Sequence, residues 1–450
     1  MLPSRRRGDS SVWPPLDTAP QNEVELSARL AQEEEARRIS DDIDMQLKAE
    51  REQRRRSGVK ILLLGQAESG KSTILKNFQL HFAPHAFQVD SEVWRPVIHL
   101  NLVRSVNFIR NLLRTPFDER VSLPALSEEL RTLNMRLAPL GPVEEGWIKL
   151  ISPEYSCGAQ LPTSPSRYDP RKASEINVRS GGGWKFRRSK RASFKKAFQE
   201  DTANRCILSA CAEDITSLWK STEAQTILRL HDIQLSEQPG FFLDDVQRIA
   251  DQNYKPTPED ILRARVHTVG PEEHHIVMET PFEFGKDWTI YDVGGSRSQR
   301  AVWAQFFDDV HVVIFLAPIS AFNQYLAEEP TVNRLSDTLN LWKTLCSNRL
   351  LSRVEFILFL NKLDILEAKL NSGVKFRDYV TSYKQRPNEV KPVSKYLLDV
   401  FNALHAQNTP RKRPVHTHTT CAIDTHATGF VITQIQEVIL LKSLSETYII

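Results

Sequence analysis

A glycine-rich loop that directly follows a short apolar run constrains this chain more than any other feature. The apolar run covers residues 59–64, and helical sequence follows the loop. A G-x-x-x-x-G-K-[ST] loop between a strand and a helix turns backbone N–H groups and a lysine toward phosphate, and its hydroxyl can bind magnesium. The sequence therefore predicts a phosphate-binding loop made of Gly65, Gln66, Ala67, Glu68, Ser69, Gly70, Lys71 and Ser72 and continued by Thr73.

Further short apolar runs alternate with helical stretches along the rest of the chain. Such runs are typical of parallel strands that are buried on both faces, and their alternation with helices predicts an α/β fold. We expect residues 57–78 and 266–450 to form one P-loop domain with a mainly parallel six-stranded sheet covered on both faces. The later apolar runs lie at residues 274–278, 288–291, 310–316, 354–360 and 415–421.

The long stretch between the first two strands of that sheet has a helical pattern. We expect residues 79–265 to form an inserted all-helical domain, with helices at 95–113, 123–137, 205–219 and 243–253. Within it, residues 152–196 are rich in Pro, Ser and Gly and then in Lys and Arg, which predicts a disordered basic loop. This loop is either a solvated insertion or a binding segment for anionic lipid or a protein partner.

The N-terminal part has the composition of an exposed segment. Residues 1–21 are predicted to be disordered, and residues 22–56 to form a charged helix that either binds a partner or is stabilised by its own i,i+4 ion pairs. The net charge of +3 does not indicate nucleic-acid binding. No apolar run approaches the roughly 18 residues that span a bilayer, and the scattered cysteines indicate reduced thiols in the cytoplasm. These cysteines are Cys157, Cys206, Cys211, Cys346 and Cys421.

Two further motifs follow predicted strands and therefore lie at the same edge of the sheet as the phosphate loop. The first is Asp292, Val293, Gly294 and Gly295, whose carboxylate can hold a magnesium shell and whose glycines allow close approach to a terminal phosphate. The second is Asn361, Lys362, Leu363 and Asp364. The Asp364 carboxylate can accept hydrogen bonds from the N1 and N2 edge of guanine, which adenine lacks, so a kinase or ATPase site is excluded. Ala422 follows the last strand and can present a backbone N–H to the guanine oxygen.

Together these motifs resemble those of heterotrimeric G-protein alpha subunits. The resemblance is carried by GQAESGKST, by DILRARVHT at residues 260–268, and by DVGGSR, FLNKLD and TCAIDT. It runs from about residue 59 to the C-terminus and is interrupted by the basic loop. It implies a GTPase that binds GDP or GTP with Mg²⁺, couples to a G-protein-coupled receptor and associates with a beta-gamma dimer.

The resemblance also implies roles for particular residues. Arg265 matches the arginine that stabilises the transition state from within the same chain, and Ser72 and Thr268 match the magnesium ligands. Glu237 and Gln238 fall where the helical domain approaches the nucleotide. The first nucleotide-contacting switch matches Leu262, Arg263, Ala264, Arg265, Val266, His267 and Thr268.

Two departures from the family pattern concern hydrolysis. Ser296 stands where the family has the glutamine that orients the attacking water, and Ala67 replaces a glycine beside the terminal phosphate. We therefore expect slow GTP hydrolysis, unless Gln299 or an additional water compensates. The alternative is a GTP-binding scaffold that has lost hydrolysis.

A third departure concerns membrane attachment. Residue 2 is leucine rather than the glycine that myristoylation needs, and no cysteine precedes Cys157. We expect a cytoplasmic protein that reaches the inner face of the plasma membrane peripherally, through a beta-gamma dimer or basic residues and without N-terminal lipid. The apolar C-terminus matches the receptor-contacting end of the family, while the receptor and the effector stay unidentified.

Overall fold

The structure is a computed structural model of the chain, and it divides into two units, 1–58 and 59–450. Of the predicted N-terminal helix it describes Glu35, Arg38 and Ser40, all helical, and the predicted disordered segment 1–21 lies outside the described residues. No helix among the described residues has the length and apolar content needed to cross a bilayer. Described beyond the N-terminal segment are 57–114, 126–151, 177–179, 191–231, 233–238, 240–265, 267–269, 271–280, 287–326, 328–410, 413–421 and 423–446, some by backbone only.

A six-stranded sheet with the order β4-β5-β1-β6-β7-β8 forms the centre of the second unit. The pairs β1–β6, β6–β7 and β7–β8 are parallel, and β4–β5 is antiparallel, which confirms the predicted mainly parallel sheet. Two short strands, β2 and β3, pair in parallel elsewhere. The strands are β1 (Ser57–Gly65), β2 (Asn177–Arg179), β3 (His267–Val269), β4 (Glu272–Val277), β5 (Asp287–Asp292), β6 (Val312–Pro318), β7 (Glu355–Asn361) and β8 (Val415–Thr420).

The sheet is buried because its central strands carry apolar side chains on both faces. Every residue of β6 is buried, whereas β8, the strand at one edge of the sheet, has the polar sequence VHTHTT. Successive side chains of a strand point to opposite faces. Ile61 and Leu63 of β1 accordingly pack into one hydrophobic core and Leu62 and Leu64 into the other. The apolar runs in the sequence therefore mark the strands that position the site.

Helices cover both faces of this sheet. On one face α1 and α15 pack against β1, β5 and β6 through residues such as Ile74, Phe78 and Ile435. On the other face α11 and α14 pack through residues such as Trp342 and Phe401. The helices of this part are α1 (Lys71–Phe82), α2 (Pro84–Val89), α11 (Arg334–Ser347), α12 (Leu363–Asn371), α13 (Phe376–Tyr379), α14 (Val390–Asn408) and α15 (Thr425–Glu446), with 3-10 helices at Arg297–Phe306, Ile319–Asn323, Leu350–Arg353 and Thr381–Tyr383.

The chain between α2 and β3 builds a third core around one long helix, α3. Buried residues of this core run from Val97 to Ala264. Its helices are α3 (Arg95–Arg114), α4 (Glu128–Arg136), α5 (Leu140–Ile151), α6 (Arg191–Ala210), α7 (Ala212–Lys220), α8 (Thr222–Leu230), α9 (Val246–Ile249) and α10 (Pro258–Arg263), with 3-10 helices at Ser91–Trp94, Leu235–Glu237 and Leu243–Asp245.

Several helix ends differ from the sequence expectation for local reasons. Helix α4 begins at Glu128 because the Ser127 side chain accepts a hydrogen bond from Leu130 N and caps the helix. The expected helix 243–253 is a 3-10 turn followed by the short α9. The expected domain boundary at residue 78 falls within α1. Of the predicted basic loop, β2 and the start of α6 at Arg191 are described, and the rest lies outside the described residues.

Trp147 lies in the third core, and its substitution tests how much this side chain stabilises that core. Its side chain is fully buried beside His99, and its indole N–H donates to Asp201 Oδ1 at 3.0 Å. Trp147→Ala leaves a cavity and removes the donor, so we expect this region to lose about 3–5 kcal/mol of stability. Hydrogen exchange of α3 amides in the full chain measures the loss.

The matched control is Trp342→Ala, which removes an equally buried indole from the core under α11. If the third core is a separate cooperative unit, exchange in α3 is unchanged by that control. Equal loss of α3 protection in both variants would show that the third core is not a separate cooperative unit.

Candidate functional site

The loop between β1 and α1 has the curled backbone that phosphate binding requires. Glu68 has a φ of 60° and Gly70 a φ of 104°, so the chain turns sharply before α1 begins. The Lys71 amino group lies inside this turn and donates to Gly65 O at 3.1 Å and Gln66 O at 2.8 Å. Burial lowers the pKa of Lys71 to about 8. A buried cation beside the first turn of a helix, whose N–H groups have no partner within the helix, is typical of an anion-binding site.

The predicted base-recognition segment is bound directly to this loop. Asn361 ends β7, and its side-chain amide donates to Ser69 O at 2.8 Å. A Cβ atom on Gly70 would lie 2.3 Å from the same amide nitrogen, so only glycine fits there. Thr420, at the end of β8, donates to Asn361 Oδ1 at 3.3 Å. The ends of β1, β7 and β8 therefore meet at one point, as expected for parallel strands.

Asp292 and Gly295 bring the end of β5 to the other side of the loop. Asp292 is buried and accepts a hydrogen bond from Ser72 Oγ at 2.6 Å. Burial raises the pKa of its carboxyl group, and Lys71 and Ser72 act in the opposite direction. A Cβ atom on Gly295 would lie 2.4 Å from Ala67 N, so the backbone after β5 touches the phosphate loop. A serine hydroxyl and a carboxylate thus lie side by side where phosphate would bind.

Glu68 of the phosphate loop is the carboxylate shared by a cluster of charged side chains. Its carboxylate contacts Arg265 Nη2 at 2.7 Å and Arg334 Nη1 at 3.3 Å. Burial alone would raise its pKa, but the two arginines outweigh burial and lower the pKa to about 2. Arg334 also donates to Ala67 O at 2.6 Å. Glu68 therefore stays ionised and holds Arg265 at the edge of the loop.

The backbone of Arg265 is fixed independently of its side chain. Asn101, on α3, accepts from Arg265 N at 2.7 Å and donates to Arg265 O at 3.2 Å. Gly240 N donates to Arg263 O at 3.1 Å, two residues earlier. The segment that carries Arg265 is thus attached to the helical part of the chain.

Ser296 makes a local contact instead of reaching across the site. Its hydroxyl donates to Gln299 Oε1 at 2.7 Å. The Gln299 carboxamide lies against Gly294, where an added Cβ atom would come within 2.0 Å of Oε1. Among the described hydrogen bonds, Gln299 therefore supplies the only amide side chain that contacts Ser296.

Gln66 links the loop to the chain after β5. Its amide donates to Asp337 Oδ2 at 2.5 Å and to Arg334 O at 2.9 Å. Asp337 also accepts two hydrogen bonds from Arg300, at 3.1 and 2.7 Å, and Arg300 donates to Gly295 O at 3.3 Å. The phosphate loop, α11 and the segment after Gly295 thus share one polar network.

A cleft of about 990 Å³ collects most of the predicted residues. Four predicted residues do not line it, namely Gly65, Gln66, Ser296 and Leu363. Gly65 lies against Leu316 O and the Ser69 side chain, and Leu363 packs against the core under α11. The side chains of Gln66 and Ser296 are hydrogen-bonded to Asp337 and Gln299. The Glu237 carboxylate contacts Lys369 Nζ at 3.0 Å. Predicted residues that line the cleft are 67–73, 237–238, 262–265, 292–295, 361–362 and 364.

The remaining predicted residues are incompletely described. His267 and Thr268 lie in β3, but their side chains are outside the described residues, and so are Val266 and Ala422. Sequence reasoning also missed Asn101, Arg334 and Lys76. Only Lys76 carried a signal, since a lysine within the apolar helix that follows the loop needs buried partners.

The comparisons with known proteins agree with this geometry. The family model for the G-protein alpha subunit matches residues 37–439. The chain is 30% identical to guanine nucleotide-binding protein subunit alpha-12 of Rattus norvegicus, over 92% of this chain and 91% of that protein. It is 28% identical to the alpha-4 subunit of Mycosarcoma maydis, over 97% and 94%. The chain therefore belongs to the G-protein alpha subunit family, the guanine-nucleotide-binding GTPases of heterotrimeric G-protein signalling.

Proposed function

We propose that the cleft binds GDP or GTP with the phosphates on residues 65–73 and the base against Asn361, Lys362 and Asp364. The observation that carries this proposal is the hydrogen bond from Asn361 to Ser69, which joins the phosphate loop to the base-recognition segment. Asp364 lines the cleft beside Cys421. A carboxylate there favours guanine over adenine because only guanine supplies the matching N–H groups.

Arg265 is proposed to act as the arginine that stabilises charge on the transferring phosphate. Its guanidinium contacts Glu68 at the edge of the phosphate loop, and its backbone is fixed by Asn101. Such an arginine contributes about 10³–10⁵ in rate.

Magnesium is proposed to bind beside Ser72 and Asp292, whose oxygen atoms lie 2.6 Å apart. Among the described residues no group of three or more His, Cys, Asp or Glu side chains could hold a metal. The proposal rests instead on the chemistry of Mg²⁺, which keeps several waters and uses few protein oxygens together with phosphate oxygens. The ion would neutralise phosphate charge, with Ser72 as a direct ligand, Asp292 orienting the hydration shell and Thr268 as a further ligand.

Hydrolysis is proposed to be slow because Ser296 cannot orient the attacking water. Its hydroxyl already donates to Gln299, and the side chain does not line the cleft. Ala67 places a methyl group in the cleft where the family has glycine. The second candidate, a GTP-binding scaffold without useful hydrolysis, rests on the same Ser296 contact, whereas the retained Arg265 favours the slow GTPase.

The proposed signalling partners are inferred from membership of the family, not from the geometry of the cleft. We propose that the chain couples a G-protein-coupled receptor and a beta-gamma dimer to an effector, in the cytoplasm and at the inner face of the plasma membrane. The long helix α15 leads to the proposed receptor-contacting end, whose last four residues lie outside the described residues. We further propose that residues 79–265, which hold the third core, act as the inserted helical domain beside a GTPase domain of residues 57–78 and 266–450.

Asp364→Asn tests the base assignment. We expect the variant to lose about 2–4 kcal/mol of GDP affinity and to gain relative affinity for xanthine nucleotides, because the amide donates where guanine also donates. Competition of GDP and XDP against a fluorescent GDP analogue measures both. Asp399→Asn, on the exposed face of α14, is the charge-matched control. Unchanged base preference in Asp364→Asn would rule out this carboxylate as the guanine reader.

Ser296→Gln tests the cause of slow turnover. We expect single-turnover hydrolysis of preloaded GTP to rise about tenfold, or roughly 1.4 kcal/mol in the barrier, because the longer amide can orient the water. Adding Ala67→Gly should raise the rate further and non-additively, since both changes act on the same water. Ser347→Gln, at the exposed end of α11, is the matched control.

Arg265→Ala supplies the opposite control for the same measurement. It should remove most of the rate in the parent and in the Ser296→Gln variant, because charge stabilisation does not depend on the group that orients the water. If the parent already hydrolyses GTP as fast as the double variant, Ser296 is no defect, and Gln299→Ala then tests the neighbouring amide.

A further inference from the structure

Lys76 is a buried cation that the proposed reaction does not use. It lies on α1, one turn beyond the phosphate loop, and its side chain is only 6% exposed. The amino group donates to Ile261 O and to Ala264 O, each at 2.8 Å. Ile261 lies in the last turn of α10 and Ala264 directly follows the helix, where backbone carbonyls have no partner within the helix. Lys76 thus ties α1 to the chain segment directly before Arg265.

The same amino group also contacts the other connection between the sheet and the third core. It lies 4.1 Å from the centre of the Trp94 ring, within the range of a cation–π interaction. Trp94 ends the 3-10 helix that leads from α2 into α3 and packs against the third core. The chain passes from the sheet to the third core through this segment and returns through the segment after α10. One amino group therefore holds both connections.

Burial lowers the pKa of Lys76 to about 7, and Asp292 acts in the opposite direction. Both protonation states keep N–H groups that can donate to the two carbonyls. Burying an amino group is costly unless its donors are satisfied, so the two connections and the lysine stabilise one another. The hydrogen bonds of Lys76 therefore form only when the two connections lie as they do in this structure.

We propose that Lys76 is a positioning residue that sets the placement of Arg265 and restrains separation of the third core from the sheet. Lys76 fixes the carbonyl of Ala264, and Asn101 fixes the amide and carbonyl of Arg265, so the arginine is held from both sides. This inference rests on the proposed function, in which Arg265 acts on a nucleotide bound between the two halves.

Two consequences follow from the position of Lys76. Without its amino group the segment before Arg265 loses the two hydrogen bonds that tie it to α1, so Arg265 should reach the phosphate less often. Both connections should also bend more easily, and a ligand enclosed between two parts of a chain leaves when they separate. Loss of Lys76 should therefore slow hydrolysis and speed nucleotide release.

Lys76→Met tests this role, because methionine keeps the apolar stem and removes the donors. In the full chain, we expect release of a fluorescent GDP analogue to become at least about tenfold faster. Single-turnover GTP hydrolysis should fall in the parent but stay unchanged in the Arg265→Ala background, since Lys76 acts through Arg265. Lys76→Arg keeps two donors and a charge and should restore much of both properties.

Ile74→Val is the matched control, since it weakens packing of the same helix in the core that α1 shares with the sheet and removes no hydrogen-bond donor. It should change thermal stability without changing GDP release. A Lys76→Met variant that releases GDP no faster than Ile74→Val, or that slows hydrolysis equally without Arg265, would overturn the proposal. An unmodified chain that bound no guanine nucleotide would instead contradict the proposed function.

Discussion

The hydrogen bond from the Asn361 amide to Ser69 O is the contact on which the site depends. It joins the end of β7 to the phosphate loop at the end of β1, two strands that are separated in the sheet by β6. The parallel order brings these carboxyl ends to one edge, and the missing side chain of Gly70 leaves room for the amide. The segments proposed to bind the phosphates and the base are thereby joined directly to each other.

The other prominent feature of the cleft is the set of charged side chains around the phosphate loop. Lys71 is buried and Lys362 is partly buried, and desolvation lowers the pKa of each to about 8. Arg265 and Arg334 share the single carboxylate of Glu68. Buried cations next to the phosphate loop are unfavourable by themselves and favour a polyanionic ligand. Nucleotide phosphates would supply the missing negative charge and release Arg265 from Glu68.

The sequence predicted those parts of the molecule that depend on local backbone requirements. The loop glycines, the buried strands and the carboxylate at the end of β5 could be located because short patterns reflect strand burial and close backbone approach. Asn101 and Arg334 could not be predicted, and Lys76 carried only the signal of a lysine in an apolar helix, since each acts through contacts with residues far away in the chain. Helix ends such as that of α9 depend on tertiary packing for the same reason. The contact between Ser296 and Gln299 needed side-chain positions that no motif contains.

We propose that this chain is a working GTPase whose charge-stabilising residues are in place and whose water-orienting residue is not. Single-turnover hydrolysis of preloaded GTP by the unmodified chain, compared with the rate at which GTP dissociates, is the decisive measurement. We expect slow hydrolysis that nevertheless exceeds dissociation, so that most bound GTP leaves as GDP. Release of nearly all GTP unhydrolysed would show that the chain is a nucleotide-binding scaffold and not a working GTPase.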